Sequence, residues 1–351
     1  MRTARGTKVF AVAGTLALLT AGLAACGGST EPTPTTSEKP KIKVGLAYDI
    51  GGRGDKSFND AAAAGLDMAR ETLDITTQEL PATVGESEAD KLTRLTTLCK
   101  GGFNPVIAVG FAYAGSLAQA ATECPDVKFA IIDSFVDAPN VASLTFAEEQ
   151  GSFLVGAAAA LKSTTGHIGF VGGCSVDLIA KFEAGYVAGA KKVNPDIKVD
   201  VNYISTPAAG CPGFNDPAGG KTAALGMYDA GADIVYHAAG GSGTGVFQAA
   251  VEKSKLAIGV DSDQYNTVDP ALKDVVLTSM LKRVDVAVFD FVKDFGDDNF
   301  AAGETVFDLK KDGVGYSTSG GFVDDIKSKL DEFKAQIVAG TIVVPTKPAD
   351  A

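Results

Sequence analysis

The sequence predicts an α/β protein of two similar, doubly wound lobes, each built on a parallel β-sheet, with a hinge and a cleft between the lobes. Runs of strand length alternate with helical runs along most of the chain, which is the pattern of parallel sheets with helices on both faces. The strand-length runs are apolar throughout, as expected of strands that are covered on both faces. The length of 351 residues also favours two lobes, because single cores stop growing at about 250–300 residues.

Residues 1–25 stand outside this pattern and predict a secretory signal peptide. Arg2, Arg5 and Lys8 precede the apolar run AVAGTLALLTAGLAA, the usual order of such a leader. The run ends in LAAC, so Cys26 directly follows small residues. This resembles a bacterial lipobox, in which the cysteine is lipidated and becomes the first residue of the mature protein. An ordinary signal peptide with an unrelated cysteine nearby is the alternative.

Residues 26–41 predict a lipidated cysteine followed by a flexible tether, because GGSTEPTPTTSEKPK has no apolar pattern. Two or more lipid chains anchor a protein stably, so we expect this chain at the extracytoplasmic face of the cell membrane. The leader carries three basic residues, and without it the net charge of −12 becomes −15. Such an acidic surface repels phosphate backbones and argues against nucleic-acid binding.

The alternation of strands and helices begins at residue 42. The strand-length runs are KIKVGLAY, PVIAVGF, KFAIID, VASLTF, HIGFVGG, IKVDVNYI, DIVYHAA, LAIGVD and VVLTSM. The series restarts once, since VASLTF and the helical run after it lead into a second strand–helix series that begins at His167. We therefore expect residues 42–145 and about 276–300 in the first lobe, and residues 146–275 and about 301–345 in the second.

Apart from Cys26, four cysteines remain beyond the leader, and an even number in an exported chain indicates two disulfides. Three pairings are possible. We favour Cys99 with Cys124, since each ends a predicted helix in consecutive units, which leaves Cys174 with Cys211. Buried free thiols are the alternative. No CxxC motif occurs and the two histidines are far apart in sequence, so we expect no metal site, and nothing indicates a cofactor.

The segments that follow the predicted strands are the place to look for a site, because ligands of open α/β sheets bind beyond the carboxyl ends of the strands. Those segments are YDIGGRGDKSFND, FAYAGS, DSFVD, CSVDLIAKFEAG, GGSGTGVF and DSDQYN, and Lys282 ends a further strand. Acids, aromatic residues and glycines recur in them, and no catalytic triad emerges. We therefore expect a binding protein and not an enzyme.

Six blocks in this sequence resemble the signature blocks of the basic membrane protein family. They are DKSFND, FAIIDS, IGFVGG with DLIAKFEAGYVAGAK, AAGGSGTGVF, GVDSDQ and TSMLKRVD. They occur in the family's order and extend over the chain from residue 42. The resemblance implies a type I periplasmic-binding-protein fold and the role of a substrate-binding lipoprotein of an ABC importer. It also implies guanosine, inosine or adenosine as the ligand, and permease and ATPase subunits as partners. One departure is GGRG at residues 51–54, where the family often has an acid and an aliphatic residue.

The first block places three candidates for the base of the ligand. Asp49 ends the first predicted strand, and Phe58 and Asn59 open the helix that follows, with Ser57 as its expected N-cap. A Phe58 ring can stack on a base, while Asp49 and Asn59 can hydrogen-bond the edge of a purine. Packing of Phe58 on its own helix is the alternative.

By resemblance, Asp133, Asp261 and Lys282 are ribose ligands. Asp133 and Asp261 each end a buried strand, one in each predicted lobe, and carboxylates are good acceptors for a cis-diol. Helix N-caps are the alternative for the two acids, and a solvated side chain beside Arg283 is the alternative for Lys282.

Two further candidates come from the second lobe. Gly241, in GGSGTG, precedes a helix and can approach a sugar oxygen through its backbone, although the segment also fits a plain flexible turn. Phe182 is the candidate for a second stacking ring, with a place in the helix core as the alternative and Tyr236 as a rival. His237 is expected to be structural.

The sequence thus predicts a monomeric, lipid-anchored receptor that delivers a purine nucleoside to a permease. Three other functions stay open at this level. A tethered nucleoside sensor would need no permease, an exported nucleoside hydrolase or phosphorylase would need a general base or a phosphate site, and a free-sugar receptor would need no stacking rings.

Overall fold

The computed structural model describes residues 41–349, so the predicted signal peptide and Cys26 lie outside the described residues. Its strands are β1 (Ile42–Ala47), β2 (Ile75–Leu80), β3 (Val106–Ala108), β4 (Phe129–Ile132), β5 (Val141–Phe146), β6 (His167–Cys174), β7 (Lys198–Ser205), β8 (Ile234–Ala238), β9 (Leu256–Asp261), β10 (Val276–Lys282), β11 (Gly303–Phe307) and β12 (Val314–Tyr316). Its α-helices are α1 (Phe58–Thr72), α2 (Glu88–Lys100), α3 (Ala114–Glu123), α4 (Glu148–Lys162), α5 (Asp177–Val193), α6 (Pro217–Asp229), α7 (Gly243–Lys253), α8 (Gln264–Thr267), α9 (Val284–Gly296) and α10 (Lys327–Val338).

The strands form two six-stranded sheets, one in each lobe. The first sheet has the order β11-β5-β4-β3-β1-β2, and all of its strand pairs are parallel. The second has the order β12-β10-β9-β8-β6-β7, and only its β10–β12 pair is antiparallel. The predicted two-lobe α/β fold with mainly parallel sheets is confirmed.

The C-terminal part of the chain is divided between the lobes differently from the prediction. Strand β10 lies in the second sheet although residues 276–300 were expected in the first lobe, and β11 lies in the first sheet although residues 301–345 were expected in the second. Helix α9, by contrast, packs on α1 and so lies in the first lobe, where about residues 276–300 were expected. The chain therefore crosses between the lobes after β5, after β10 and after β11. Strand β11 was missed because GETVF leaves three of its residues exposed at the edge of the sheet.

Helices α4 and α5 pack unusually closely in the second lobe, and this fixes where α4 begins. A Cβ on Gly185 of α5 would lie 2.1 Å from the carbonyl oxygen of Glu149, and one on Gly156 of α4 would lie 2.1 Å from that of Tyr186. Only glycine permits such an approach of backbones. Most of α4 is buried, as expected of a helix that is apolar on nearly all sides.

Two disulfides tie neighbouring segments. Cys99 is bonded to Cys124, and Cys174 is bonded to Cys211; this is the pairing that the sequence favoured. The second disulfide joins the end of β6 to the segment between β7 and α6. Within residues 41–349, no helix combines the length and the apolar character that crossing a bilayer requires.

Candidate ligand-binding site

The carboxyl ends of strands from both sheets converge on one cavity, whose empty space amounts to about 530 Å³ when the part open to solvent is included. Seven of the eight predicted ligand residues line it: Asp49, Phe58, Asn59, Asp133, Phe182, Asp261 and Lys282. The eighth, Gly241, does not, and the neighbouring Gly240 lines the cavity instead. Gly241 lies in a short 3₁₀ helix, where a Cβ would face Asn215 at 3.2 Å.

The loop between β1 and α1 is organised by Asp55. Its carboxylate accepts hydrogen bonds from the backbone N–H groups of Ser57 (2.9 Å), Asn59 (2.9 Å) and Asp60 (3.1 Å). Asp55 thus satisfies the first turn of α1, the role that the sequence predicted for Ser57. The Ser57 side chain makes no capping hydrogen bond and donates instead to Asp261 Oδ2 at 2.5 Å, across the cleft.

Asn59 lines the cavity, but its side-chain amide forms hydrogen bonds within the loop between β1 and α1. Its Oδ1 accepts from the Asp49 N–H at 3.0 Å, and its Nδ2 donates to the Ile50 carbonyl at 3.2 Å and to Asp55 at 3.0 Å. Both N–H donors of the amide are therefore in use. This geometry makes Asn59 a support for Asp49, where the sequence suggested a direct partner of the ligand.

Asp49 presents a half-buried carboxylate to the cavity. One oxygen accepts from the Ile50 N–H at 2.7 Å, while Oδ2 lies against Gly110, where a Cβ would come within 2.3 Å. Gly110 also has a φ of 107°, so two independent reasons require glycine there. Burial raises the pKa of Asp49 to about 6. The carboxylate is ready to accept hydrogen bonds from a ligand near neutral pH.

Aromatic rings occupy much of the cavity wall. Phe58 and Phe182 both face Lys282, whose Nζ lies 4.8 Å from the first ring centroid and 5.5 Å from the second. Tyr236, the rival of Phe182, is packed in the core against Phe170 and Tyr186 and is absent from the described lining residues.

Phe111 and Phe214 also line the cavity and were not singled out from the sequence. Phe111 follows β3 and Phe214 follows β7, so the two rings come from opposite lobes, and they meet edge to face with centroids 6.3 Å apart. Phe214 lies on the backbone of Gly173, where a Cβ would be 2.4 Å from its ring. The segment that carries it is anchored by the disulfide at Cys211.

Lys282 is the one basic side chain among the described residues that line the cavity, and it is 2% exposed. Its Nζ lies 2.5 Å from Asp133 Oδ2, across the cleft, and 3.8 Å from Glu148 Oε1. Burial lowers the pKa of Lys282, but the charges of Asp133, Glu148 and Asp261 outweigh it and raise the pKa above its ordinary value. Lys282 is therefore a charged donor at neutral pH.

Asp133 and Asp261 share a backbone conformation that non-glycine residues rarely adopt. Their φ angles are 66° and 62°, in the left-handed region, at a cost of about 1–3 kcal/mol each. Such conformations cluster at functional sites. The Oδ1 atom of Asp133 is buried with no hydrogen-bond partner among the described residues. An unpaired buried acceptor of this kind is suited to a ligand hydroxyl.

Asp261 joins this group from the second lobe. Burial raises its pKa to about 6, while Lys282 and Ser57 act in the opposite direction. His237, in contrast, is enclosed in the core beside Phe247, and burial lowers its pKa to about 4. A neutral histidine in an apolar setting agrees with the structural role expected for it.

The GGRG departure has a structural explanation. Arg53 donates to Asp67 on α1 at 3.0 Å, to Glu79 on β2 at 2.7 Å and to the Tyr48 hydroxyl at 2.9 Å. The three glycines of residues 51–54 all have positive φ. Arg53 therefore fixes the glycine-rich turn of residues 51–54 to α1 and β2 of the first lobe. It is not among the described residues that line the cavity.

Other proteins are similar to this chain in sequence and in fold. A family model described as "ABC transporter substrate-binding protein PnrA-like" matches residues 41–348. The chain is 35% identical to the "CD4+ T-cell-stimulating antigen" of Listeria innocua, with 93% of this chain and 95% of the relative covered. It is also 35% identical to the "ABC transporter nucleoside-binding protein BmpA" of Lactococcus lactis, with 97% and 99% covered. A solved solute-binding protein of an ABC transporter system from Aeropyrum pernix superposes with a TM-score of 0.76 at 29% identity, covering 88% of this chain and 94% of that one.

These matches confirm the family that the six sequence blocks indicated. They also make the alternative of an exported hydrolase or phosphorylase wrong, since the family consists of substrate-binding proteins of transporters. That role implies a ligand and a membrane permease as partners. With the family model matching residues 41–348, the chain belongs to the Bmp family of PnrA-like substrate-binding proteins of ABC transporters.

Proposed function

We propose that this protein is the lipid-anchored receptor of an ABC importer for a purine nucleoside, which it binds in the interlobe cavity. The observation that carries the proposal is the composition of that one cavity. It combines aromatic rings and the carboxylate of Asp49 with a group of Asp133, Asp261 and Lys282. The first set suits a flat base with N–H donors, and the second suits a sugar diol. The Lactococcus lactis relative is named as nucleoside-binding, which supports the same ligand class.

The base is held by stacking and by acceptors. Phe58 and Phe182 offer ring faces, with Phe214 as a third ring that the structure adds; stacking of a base on an aromatic ring contributes about 1–3 kcal/mol. Asp49 accepts hydrogen bonds from ring N–H or exocyclic amino groups. Asn59 and Asp55 hold the Asp49 loop in place through the hydrogen bonds described above.

The ribose is held by the charged group. The free Oδ1 of Asp133 and the carboxylate of Asp261 accept from the sugar hydroxyls, and Lys282 donates to them. Ser57 with Asp261, Lys56 with Gln264 and Lys282 with Asp133 form hydrogen bonds that cross the cleft. These contacts belong to a closed receptor, and their loss on opening is the hinge motion of such proteins.

The charge of the cavity favours a neutral ligand. Its lining includes the carboxylates of Asp49, Asp55, Asp133 and Asp261, against the single cation of Lys282. A nucleotide phosphate brings further negative charge and is repelled by this field. The ligand is therefore a nucleoside and not a nucleotide.

Calorimetric titration tests this function. Protein refolded from denaturant, to remove retained ligand, is titrated with guanosine, inosine, adenosine, cytidine, ribose and guanosine monophosphate. We expect tight binding of at least one purine nucleoside and weak or no binding of ribose and the nucleotide. Asp49→Ala should abolish nucleoside binding. An absence of heat with every nucleoside overturns the ligand assignment.

The membrane anchor and the partners are part of the proposal. Cys26, beyond the described residues, receives the lipid, and permease and ATPase subunits receive the ligand. Fractionation of cells that express Cys26→Ser should find the protein released from the membrane. Retention of that variant in the membrane fraction contradicts the anchor. Loss of nucleoside uptake on deletion of the protein separates an importer from a tethered sensor.

A further inference from the structure

Glu148 is a buried carboxylate that none of the proposed ligand contacts uses. It is fully buried and is the first residue of α4, directly after the crossover from the first sheet. The close approach of α5 at Gly185 fixes the backbone of α4 one residue further on, at Glu149. Glu148 is not among the described lining residues, so it lies behind the cavity wall and reaches the cavity only through its neighbours.

Those neighbours are charged. Glu148 Oε1 lies 3.8 Å from Lys282 Nζ on β10, and Oε2 lies 3.2 Å from Lys181 Nζ on α5. Asp133 faces the same ammonium from the segment after β4. Oε1 has no hydrogen-bond partner among the described residues. Burial raises the pKa of Glu148 and Asp133 adds to this effect, while Lys282 and Lys181 act against it.

Three carboxylates act on Lys282: Asp133 comes from the first lobe, and Glu148 and Asp261 come from the second. Of the second-lobe pair, only Glu148 forms an ion pair with its Nζ within 4.0 Å among the described residues. Asp133 follows β4 of the first sheet, whereas Glu148 begins a helix that packs on β10 and α5 in the second lobe, where Lys282 also lies. When the lobes separate, Asp133 moves away with the first lobe. Glu148 remains beside Lys282, because both are fixed to the same packed unit. A buried lysine without a carboxylate would tend to lose its proton.

We propose that Glu148 is a positioning residue for ligand binding, the nearest counter-ion of Lys282 within its own lobe, which keeps the ammonium charged and directed into the cavity before Asp133 arrives. It acts through Lys282 and does not touch the ligand. The link to affinity rests on the proposed function, since it requires that the ligand binds Lys282. The link between Glu148 and the charge of Lys282 does not.

Titration of the Lys282 side chain tests the inference without a ligand. The Cε resonance of Lys282, assigned by its loss in Lys282→Arg, is followed by NMR against pH in the purified protein. Glu148→Gln keeps the shape of the side chain and removes the charge, so it should lower the titration midpoint of Lys282 by about one pH unit or more. Glu149→Gln, the neighbouring acid on the same helix, is the matched control and should leave the midpoint unchanged.

A second variant guards against a failure to fold. Glu148→Asp retains the charge but draws it away from Lys282, and it should move the midpoint in the same direction by a smaller amount. An unchanged midpoint in the folded Glu148 variants overturns the inference, whatever the protein binds.

Affinity measurements then join the inference to function. Glu148→Gln should weaken nucleoside binding roughly tenfold, and the same change made in Lys282→Met should have almost no effect. If Glu148→Gln weakens nucleoside binding equally in the unmodified protein and in Lys282→Met, Glu148 has a general structural role and the inference is overturned. If the unmodified protein binds no nucleoside, the proposed function fails, and the Lys282 titration still decides the role of Glu148.

Discussion

Replacement of Lys282 by methionine removes the positive charge at the centre of the site while keeping a side chain of similar length. In the intact protein this ammonium faces Asp133 at 2.5 Å and Glu148 at 3.8 Å. The change leaves these two buried carboxylates and Asp261 without their shared cation. Because buried pairs that lose one partner typically cost about 3–5 kcal/mol, we expect the free energy of unfolding to fall by roughly that amount near pH 8.

The size of the loss depends on pH, and its sign follows from the carboxylates. Burial already raises the folded pKa values of Glu148 and Asp261 above the unfolded values, and without Lys282 they rise further, so the folded state binds protons more tightly. Stability that is lost at high pH is then recovered as the pH falls toward the unfolded pKa of about 4. The destabilisation should therefore be large near pH 8 and small near pH 5.

Denaturant unfolding of both proteins at the two pH values measures this difference. Lys327→Met provides the control, since Lys327 pairs with Asp331 on an exposed surface and exposed pairs contribute little. The same loss of stability for Lys282→Met at both pH values would refute the reasoning, because it would mean that lost packing and not unpaired charge is responsible. The variant should also bind nucleoside at least about tenfold more weakly, since charge-assisted hydrogen bonds contribute about 1.5–3 kcal/mol.

Three further predictions concern the cavity. The pKa values of Asp49 and Asp261 are raised to about 6, so nucleoside affinity should fall as the pH drops through 6. Protonation of the same carboxylates should stabilise the ligand-free protein. Calorimetric titration measures the affinity and thermal unfolding measures the stability across this pH range. A fall in both affinity and stability as the pH drops would contradict the account. Gly110→Ala should weaken binding at least about tenfold by displacing Asp49. Gly303→Ala is the control, because Gly303 has a similar positive φ but open space around it, and it should leave binding unchanged. Equal losses of affinity in the two variants would show that a clash with Asp49 is not the cause. Phe58→Ala should cost about 1–3 kcal/mol of purine affinity in a titration, and unaltered affinity would remove Phe58 from the base site.

The fold was largely predictable because the two sequence patterns that indicate it, strand-length apolar runs and the helical runs between them, are local. Apolar runs of strand length and the helical runs between them specify a doubly covered parallel sheet. Strands β2 and β11 carried a weaker signal, since ITTQEL and GETVF are partly exposed at the edges of their sheet. The assignment of β10 and β11 to lobes was not predictable, because the order of strands across a sheet depends on long-range pairing.

The candidate site was predictable where it lies at the end of a strand. Asp49, Asp133 and Asp261 follow or end strands, and the fold alone brings such residues to one edge. Phe111 had the same signal and was overlooked. Phe214 had a weaker signal, because it lies well past the end of β7, in a segment that a disulfide ties to the end of β6.

Two side chains took roles that spacing alone could not decide. The sequence made Ser57 the cap of α1, but Asp55 accepts the N–H groups of that turn. The hydroxyl of Ser57 is directed across the cleft by the approach of Asp261, a residue 204 positions away in sequence. The outcome depends on which lobe surfaces meet, and local propensity contains no information on that.

A crystal structure of the protein with guanosine tests the central claim most directly. The account predicts the purine among Phe58, Phe182 and Phe214 with its N–H edge on Asp49, and the ribose hydroxyls on Asp133, Asp261 and Lys282. A nucleoside bound outside this cavity, or bound with its ribose at Asp49 and its base at Lys282, would contradict the account.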